Sequence, residues 1–281
     1  MMLIWSTTLR MRASASARLT TLTVGYSRYF VPPPFELIAP TTISLFANTT
    51  AAPTVAQDDR AKPERDNYFD ASATQIIIPG LKAGVDAYYK IASDLIDEGQ
   101  FGAPIILTPF NYQKGLVDGI EFTTSYEVGD WSFYGNLAAS KALGENIISA
   151  QFNFQPDELA YIADHFIHLD HDQSFTGSAG IKYRFPKTNT LISTDLIAGS
   201  GLRATAPGGI PNGVSLHNYE QVNFSIVQPV QTGIYKGLEL RLDIINLFDA
   251  VYQIRNGTGV GVGAPQFGPR RTILAGITQR F

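Results

Sequence analysis

Between Leu238 and Ile244 the chain reads Leu238-Glu239-Leu240-Arg241-Leu242-Asp243-Ile244, an unbroken alternation of apolar and charged residues. A period of two places the three leucines and Ile244 on one face of a β-strand and the three charges on the other. The reading extends from Tyr235 to Leu247. The same pattern runs through Gly80 to Ile91, where Leu81, Ala83, Val85, Ala87, Tyr89 and Ile91 oppose Lys82, Asp86 and Lys90. Two surroundings satisfy such strands. One is an antiparallel sheet with a single solvated face. The other is a barrel in lipid, with an apolar outside and a wet lumen.

Alternation bounded by turn residues gives about ten strands. They are Thr20 to Val31, Asp66 to Ile78, Gly80 to Ile91, Gly115 to Val128 and Asp130 to Lys141. Asp172 to Phe185, Thr188 to Gly199, Asn218 to Gln228, Tyr235 to Leu247 and Arg270 to Phe281 follow. Most have about the ten residues that cross a bilayer when tilted. The connections alternate in length. Pro79-Gly80, Gly129-Asp130, Pro186-Lys187 and Pro229 to Ile234 are tight, whereas Pro32 to Arg65, Ala92 to Lys114, Ala142 to His171, Ser200 to His217 and Phe248 to Pro269 are long. Antiparallel order then sends every long connection to one rim, the arrangement of barrels with short periplasmic turns and long outer loops. A soluble sandwich has no reason for that asymmetry. Aromatic residues near the tight turns, among them Tyr126, Trp131, Phe133, Tyr183 and Phe185, suit an interfacial girdle. Thr188 to Gly199 is the exception, with Leu191 and Ile197 on one parity and Ile192 and Leu196 on the other. A bulge, or a lumen wall covered by a plug, accounts for it.

Composition narrows the function classes. The 281 residues carry a net charge of -4 and are 44% hydrophobic but only 16% charged, against roughly 25% charged in soluble domains. No basic patch points to nucleic acid. Without cysteine there is neither a disulfide framework nor a Cys zinc site. No apolar run approaches the ~18 residues of a membrane helix. Arg10 and Arg12 interrupt any signal-peptide core. An outer-membrane protein must be exported, so either the chain is a piece of a longer precursor or the membrane reading fails. Residues 1–19 carry no expected element and are expected to be disordered. Residues 20–281 are expected to form one barrel domain. Within the longest central connection, Pro156 to Leu169 reads as a helix on the barrel mouth, with Asp157 and Glu158 in its first turn and Leu159, Ile162, Ala163, Phe166 and Leu169 as its apolar stripe.

Asn246-Leu247-Phe248-Asp249 followed by Tyr252 resembles the end of the penultimate strand in TonB-dependent outer-membrane receptors. The last strand, with Ile273, Ala275 and Ile277 before Arg280-Phe281, resembles their assembly signal. Gly25-Tyr26-Ser27-Arg28-Tyr29-Phe30 and Lys62-Pro63-Glu64 also resemble segments of that family, so the resemblance covers Thr20 to Phe281. It implies a 22-stranded barrel around an N-terminal plug, which contacts an inner-membrane energy transducer. The chain holds about ten strands and no plug candidate. The expectation is therefore an all-β, antiparallel transmembrane barrel segment, open or half-barrel when alone, from a receptor for siderophores or similar large nutrients. Expected partners are outer-membrane lipid and lipopolysaccharide, a nutrient ligand, and the transducer only through a plug absent from this chain. A self-standing small barrel, serving as a pore or an adhesin, is the alternative. A soluble, carbohydrate-binding sandwich is a further rival.

No catalytic, cofactor or metal residues are assigned, because no Ser/His/acid arrangement, nucleophile elbow or metalloprotease motif is evident. His165, His168 and His171, near Asp164, Asp170 and Asp172, are either polar loop residues or part of a site for a metal-bearing substrate. The first reading is favoured, since a spacing of three, twice over, rotates around a helix. Gly257, Gly259, Gly261 and Gly263 form no phosphate loop, having no helix after them, and suit a flexible outer loop. Arg255, Arg270 and Arg271 are read as solvated loop charges rather than anion receptors.

Overall fold

The computed structural model describes residues 5–15, 18–34, 46, 48–50, 52–101, 106–230 and 237–279. The first half of the chain forms β1 (Trp5–Ala15), β2 (Arg18–Val31), β3 (Glu64–Ile78), β4 (Leu81–Phe101), β5 (Ile106–Val128) and β6 (Trp131–Ile147). A 3-10 turn at Gln151–Asn153, helix α1 (Pro156–Ile162) and the short β7 (Ile167–His168) come next. The second half adds β8 (Phe175–Arg184), β9 (Leu191–Gly199), β10 (Arg203–Ala204), β11 (Val214–Ser215), β12 (Tyr219–Val230), β13 (Leu238–Ile245), β14 (Gln253–Asn256), β15 (Pro265–Phe267) and β16 (Thr272–Gln279).

Eleven strands make one continuous sheet in the order β1-β2-β3-β4-β5-β6-β8-β9-β12-β13-β16, with β7 added beside β6. Neighbours are antiparallel throughout. The ends β1 and β16 do not pair with each other, so the sheet is open, as expected, and no closed ten-stranded barrel forms. Because each strand pairs with the next in sequence, the connections 32–63, 148–174, 200–218 and 246–271 and the β4–β5 tip all leave from one rim.

Register shows which face is which. The pairs Val85↔Phe122, Phe122↔Leu137, Ala87↔Ile120, Ile226↔Leu242 and Leu240↔Ile277 continue one apolar face across the sheet. Opposite it run Asp86↔Glu121, Thr123↔Asn136, Asn136↔Ser178, Asp195↔Asn223 and Ser225↔Asp243. Among the described residues no second layer covers the apolar face. Leu240 is 42% exposed, Leu242 37% and Ile277 75%. Full exposure of such a side chain costs about 1.5–3 kcal/mol in water, and partial exposure a share of that, so a sandwich is excluded and hydrocarbon is the matching solvent. At the tight-turn end Trp131, Phe133, Tyr126 and Tyr183 pack together, with Trp131 and Tyr183 ring centres 4.4 Å apart, as an interfacial aromatic band requires. β9 pairs with both neighbours without a register shift, so no bulge explains its mixed parity. Ile192 and Leu196 join the apolar face, and Leu191 and Ile197 stand on the polar one.

Three expectations change. The hairpin β1–β2 pairs from Trp5↔Arg28 to Ala15↔Arg18, so strand structure crosses the boundary expected at residue 19. The connection expected over Ala92 to Lys114 is mostly strand, since β4 has 21 residues and β5 has 23. A crease separates the added parts from the parts read from sequence. Asp94 and Asn146 take positive φ, 56° and 58°, and with Gln113 between them they are skipped in the ladder. The Asn146 amide donates to Gln113 Oε1 across it. Beyond the crease alternation changes phase. Leu95 lies against Gly115, and the Tyr112 ring lies on Gly144, so both turn to the face that is polar lower down. The third change is α1, which ends at Ile162 rather than Leu169 and gives way to β7.

Candidate functional site at the loop-bearing rim

Above the crease the inner face carries a compact apolar core. Leu95, Phe110, Tyr112, Ile147, Phe154, Ile162, Ile167 and Val260 are buried there, with Leu159, Tyr161 and Leu169 packed against them. Phe110 meets Phe154 edge to face at 4.8 Å. The strand tips, the 148–174 connection and the 246–271 connection thus form one cap. Helix α1 is set by Pro156 in its first turn and by a capping box, in which the Glu158 carboxylate accepts from the Gln155 N–H at 2.9 Å. Burial raises the Glu158 carboxyl above its ordinary range. On the other face Asn111, wholly buried, is covered by the segment before β3, accepting from Lys62 N and donating to Lys62 O.

Two charge clusters tie the cap together. Asp172 is buried, accepts from His168 Nδ1 at 2.7 Å and Arg203 Nε at 3.0 Å, and takes the Ala142 N–H on its other oxygen. Asp97, Asp170, His171 and Arg255 form the second cluster. The Asp170 carboxylate on Nδ1 raises His171 above the usual imidazole range. The three histidines therefore do not converge. His165 stacks on Tyr161 and donates to the Tyr161 carbonyl, His168 serves Asp172, and His171 serves Asp170. Sequence gave no sign of Asp97 or Arg203 as partners, which lie far from the histidines along the chain.

The glycine-rich run is packed, not flexible. Val260 and Val262 are each 2% exposed, and the Gly261 carbonyl accepts the Gln100 N–H at 2.7 Å. A side chain at Gly261 would press on Phe110 and Phe154, and its φ of +75° suits glycine. Arg255 is not a solvated loop charge, its side chain being 15% exposed, whereas Arg270, 64% exposed, is one as expected. Arg255 pairs with Asp170, and Arg270 pairs with Asp249. The Asn246-Leu247-Phe248-Asp249 segment is a clasp at the foot of the last outer loop. Asn246, wholly buried at a φ of 53°, donates to the Ala250 and Pro269 carbonyls and accepts from Ala250 N. Asp249 binds Arg270 and the Arg271 N–H, which holds its carboxyl well below the carboxylate range. Arg280-Phe281 lie outside the described residues.

Below the cap the inner wall is a shallow concave surface lined by Glu121, Thr123, Asn136, Ser178, Ile197 and Tyr219. Higher up, Tyr29, Tyr68 and Tyr88 run across three neighbouring strands, the last two stacked at 6.2 Å. An apolar outer face, a polar inner face and a loop-built cap on one rim define a wall of an outer-membrane β-barrel. The family model described as TonB dependent receptor-like, beta-barrel, matches residues 10–247, and the chain belongs to that family. It is a family of transport receptors, not of enzymes.

Solved structures with the same fold include the copper transporter OprC, 15% identical over 98% of this chain and 39% of that one, with a TM-score of 0.62. The ferric enterobactin receptor PfeA from Pseudomonas aeruginosa is 15% identical over 99% and 40%, with a TM-score of 0.61. The FrpB iron transporter from Neisseria meningitidis is 14% identical over 97% and 38%, with a TM-score of 0.59. The chain spans 38% to 40% of the length of these structures. No curated protein sequence matches it.

Proposed function

We propose that the chain is wall and cap of a TonB-dependent receptor that takes up siderophores or similarly large nutrients. The observation that carries the reading is the placement of every long connection on one rim, where they build a folded cap above a polar inner wall. The polar face keeps the lumen wet, and the cap selects ligand at the mouth. Leu191 and Ile197, apolar on the inner face, suit contact with a plug inside a 22-stranded barrel. Coupling to an inner-membrane transducer runs through that plug. Outer-leaflet lipid and lipopolysaccharide surround the apolar face.

The test is uptake by the whole receptor containing this wall, with residues 151–171 replaced by a short Gly-Ser link. Growth on iron presented as a panel of ferric siderophores is expected to be lost for the native ligand, while the barrel still reaches the outer membrane. Unchanged uptake of every ligand that the unaltered receptor accepts would refute the selective role of the cap.

A further inference from the structure

Asp97 comes from the end of β4, Asp170 and His171 from the β6–β8 connection, and Arg255 reaches them from β14. His171 Nδ1 lies 2.5 Å from Asp170 Oδ1 and 3.7 Å from Asp97 Oδ1. One ligand-capable atom from each of the three residues lies within 4.8 Å of the others. Both carboxylates are shielded, with side-chain exposures of 10% and 3%. Arg255 Nη2 also meets His171 Nε2, yet protein groups leave two atoms of the cluster without an aligned hydrogen bond. Asp170 Oδ2 has the Arg255 ion pair at 3.0 Å but no aligned hydrogen bond, and Arg255 Nε is buried with no acceptor. The Tyr112 hydroxyl is wholly buried without a partner, and the charges acting on it most strongly are those of Asp97 and Asp170.

We propose that Asp97, Asp170 and Nδ1 of His171 bind a divalent transition-metal ion of the zinc class, which fastens the β6–β8 connection to the end of β4. Zinc takes carboxylate oxygen and imidazole nitrogen at about 2.0–2.2 Å, so tetrahedral ligand atoms stand about 3.4 Å apart. The His171–Asp97 separation of 3.7 Å is close to that. Asp170 has to draw back from His171 by about 1 Å, and replacing the proton between them by the ion drives the movement. The imidazole nitrogen selects against calcium and magnesium, which prefer all-oxygen sites. Arg255 holds the far oxygen of Asp170 and orients that carboxylate, and its Nη2 has to withdraw from His171 Nε2, which carries the imidazole proton once Nδ1 binds the ion. The fourth position falls to water.

Calorimetric titration of the untagged chain, folded in detergent micelles, with zinc chloride is expected to show one ion bound per chain. Calcium and magnesium chloride at the same concentration are expected to give no binding heat. His171→Ala should weaken zinc binding at least tenfold, whereas His165→Ala, at an exposed position beyond the end of α1, should leave it unchanged. In the unmutated chain, zinc should shield His171 but not His165 from diethyl pyrocarbonate, a readout that needs no variant to fold. Absence of one-to-one zinc binding by the unmutated chain overturns the proposal, and so does unshielded His171. Equal zinc affinity in folded His171→Ala also overturns it. Binding is read without transport, so a negative result leaves the uptake reading standing.

Discussion

The wall below the crease and the cap above it are built from the same strands, yet they answer to different solvents. In the wall, Ile120 and Phe122 are 52% and 45% exposed. In the cap, Phe110 and Tyr112, twelve residues or fewer up the same β5, are 1% and 0% exposed. The wall is stable only where hydrocarbon covers its outside. The cap carries its own core, as a soluble domain does, and its buried carboxylates Asp170 and Asp172 lie in ion pairs with Arg255 and Arg203. The crease at Asp94, Gln113 and Asn146 is where one regime passes into the other, because a change of phase there swings apolar side chains from the lipid side to the mouth.

The largest effect should come from breaking the cap alone. Asp172→Ala strands Arg203 and His168 beside an unpaired Ala142 N–H, and the loss of one partner from a buried pair costs about 3–5 kcal/mol. Residues 148–174 should become protease-sensitive at lower urea, while the wall keeps its folded gel mobility. If wall and cap melt together, the two regions are one unit and the distinction fails. Next comes the wall. Phe122→Arg on the lipid side should cost about 2–4 kcal/mol in bilayers, against about 1 or less for Thr123→Arg on the lumen side. Urea titration of the two variants in the same lipid measures the difference, and equal costs would place both faces in one medium.

Sequence made the wall legible because one rule, apolar out and polar in, holds from turn to crease on the strands other than β9. It stopped at Ile91, Gly115 and Lys141 because that rule inverts a few residues later on each strand. β1 was obscured for another reason. Trp5, Leu9, Met11 and Ala13 do alternate with Ser6, Thr8, Arg10 and Arg12, but a terminal segment invites comparison with a leader instead. In the cap the pattern carried less, since its order rests on pairs such as Asp97 with His171 and Arg203 with Asp172, which no local spacing announces. The glycines of 257–263 looked like a flexible loop from composition, yet Gly261 brings the backbone against Phe110 and Phe154. The Asn246–Asp249 segment was conspicuous as a motif, and its hydrogen bonds were not.

That clasp offers a finer test. Asn246→Ala removes three hydrogen bonds from a wholly buried side chain in left-handed backbone, and leaving buried groups unpaired costs about 1–3 kcal/mol. Proteolysis near residues 250–269 should rise before any cut appears in the wall. The smallest effect expected is a pH dependence confined to the cap. Glu158 has a folded value raised by burial, so its charged form weakens the fold. Cap stability should be greatest below about pH 4.3, the ordinary glutamate value, and decline as pH rises through the raised one. Glu158→Gln should flatten that slope, read by the urea midpoint of cap proteolysis across pH.

The central claim is that lipid wets alternate side chains of the wall. The chain has no cysteine, so single cysteines at Ile120, Glu121, Phe122 and Thr123 can each carry a fluorophore in the bilayer-inserted chain. A lipid-borne quencher should act at 120 and 122, and a water-soluble quencher at 121 and 123. Uniform quenching at all four positions, or the reverse alternation, would contradict the account.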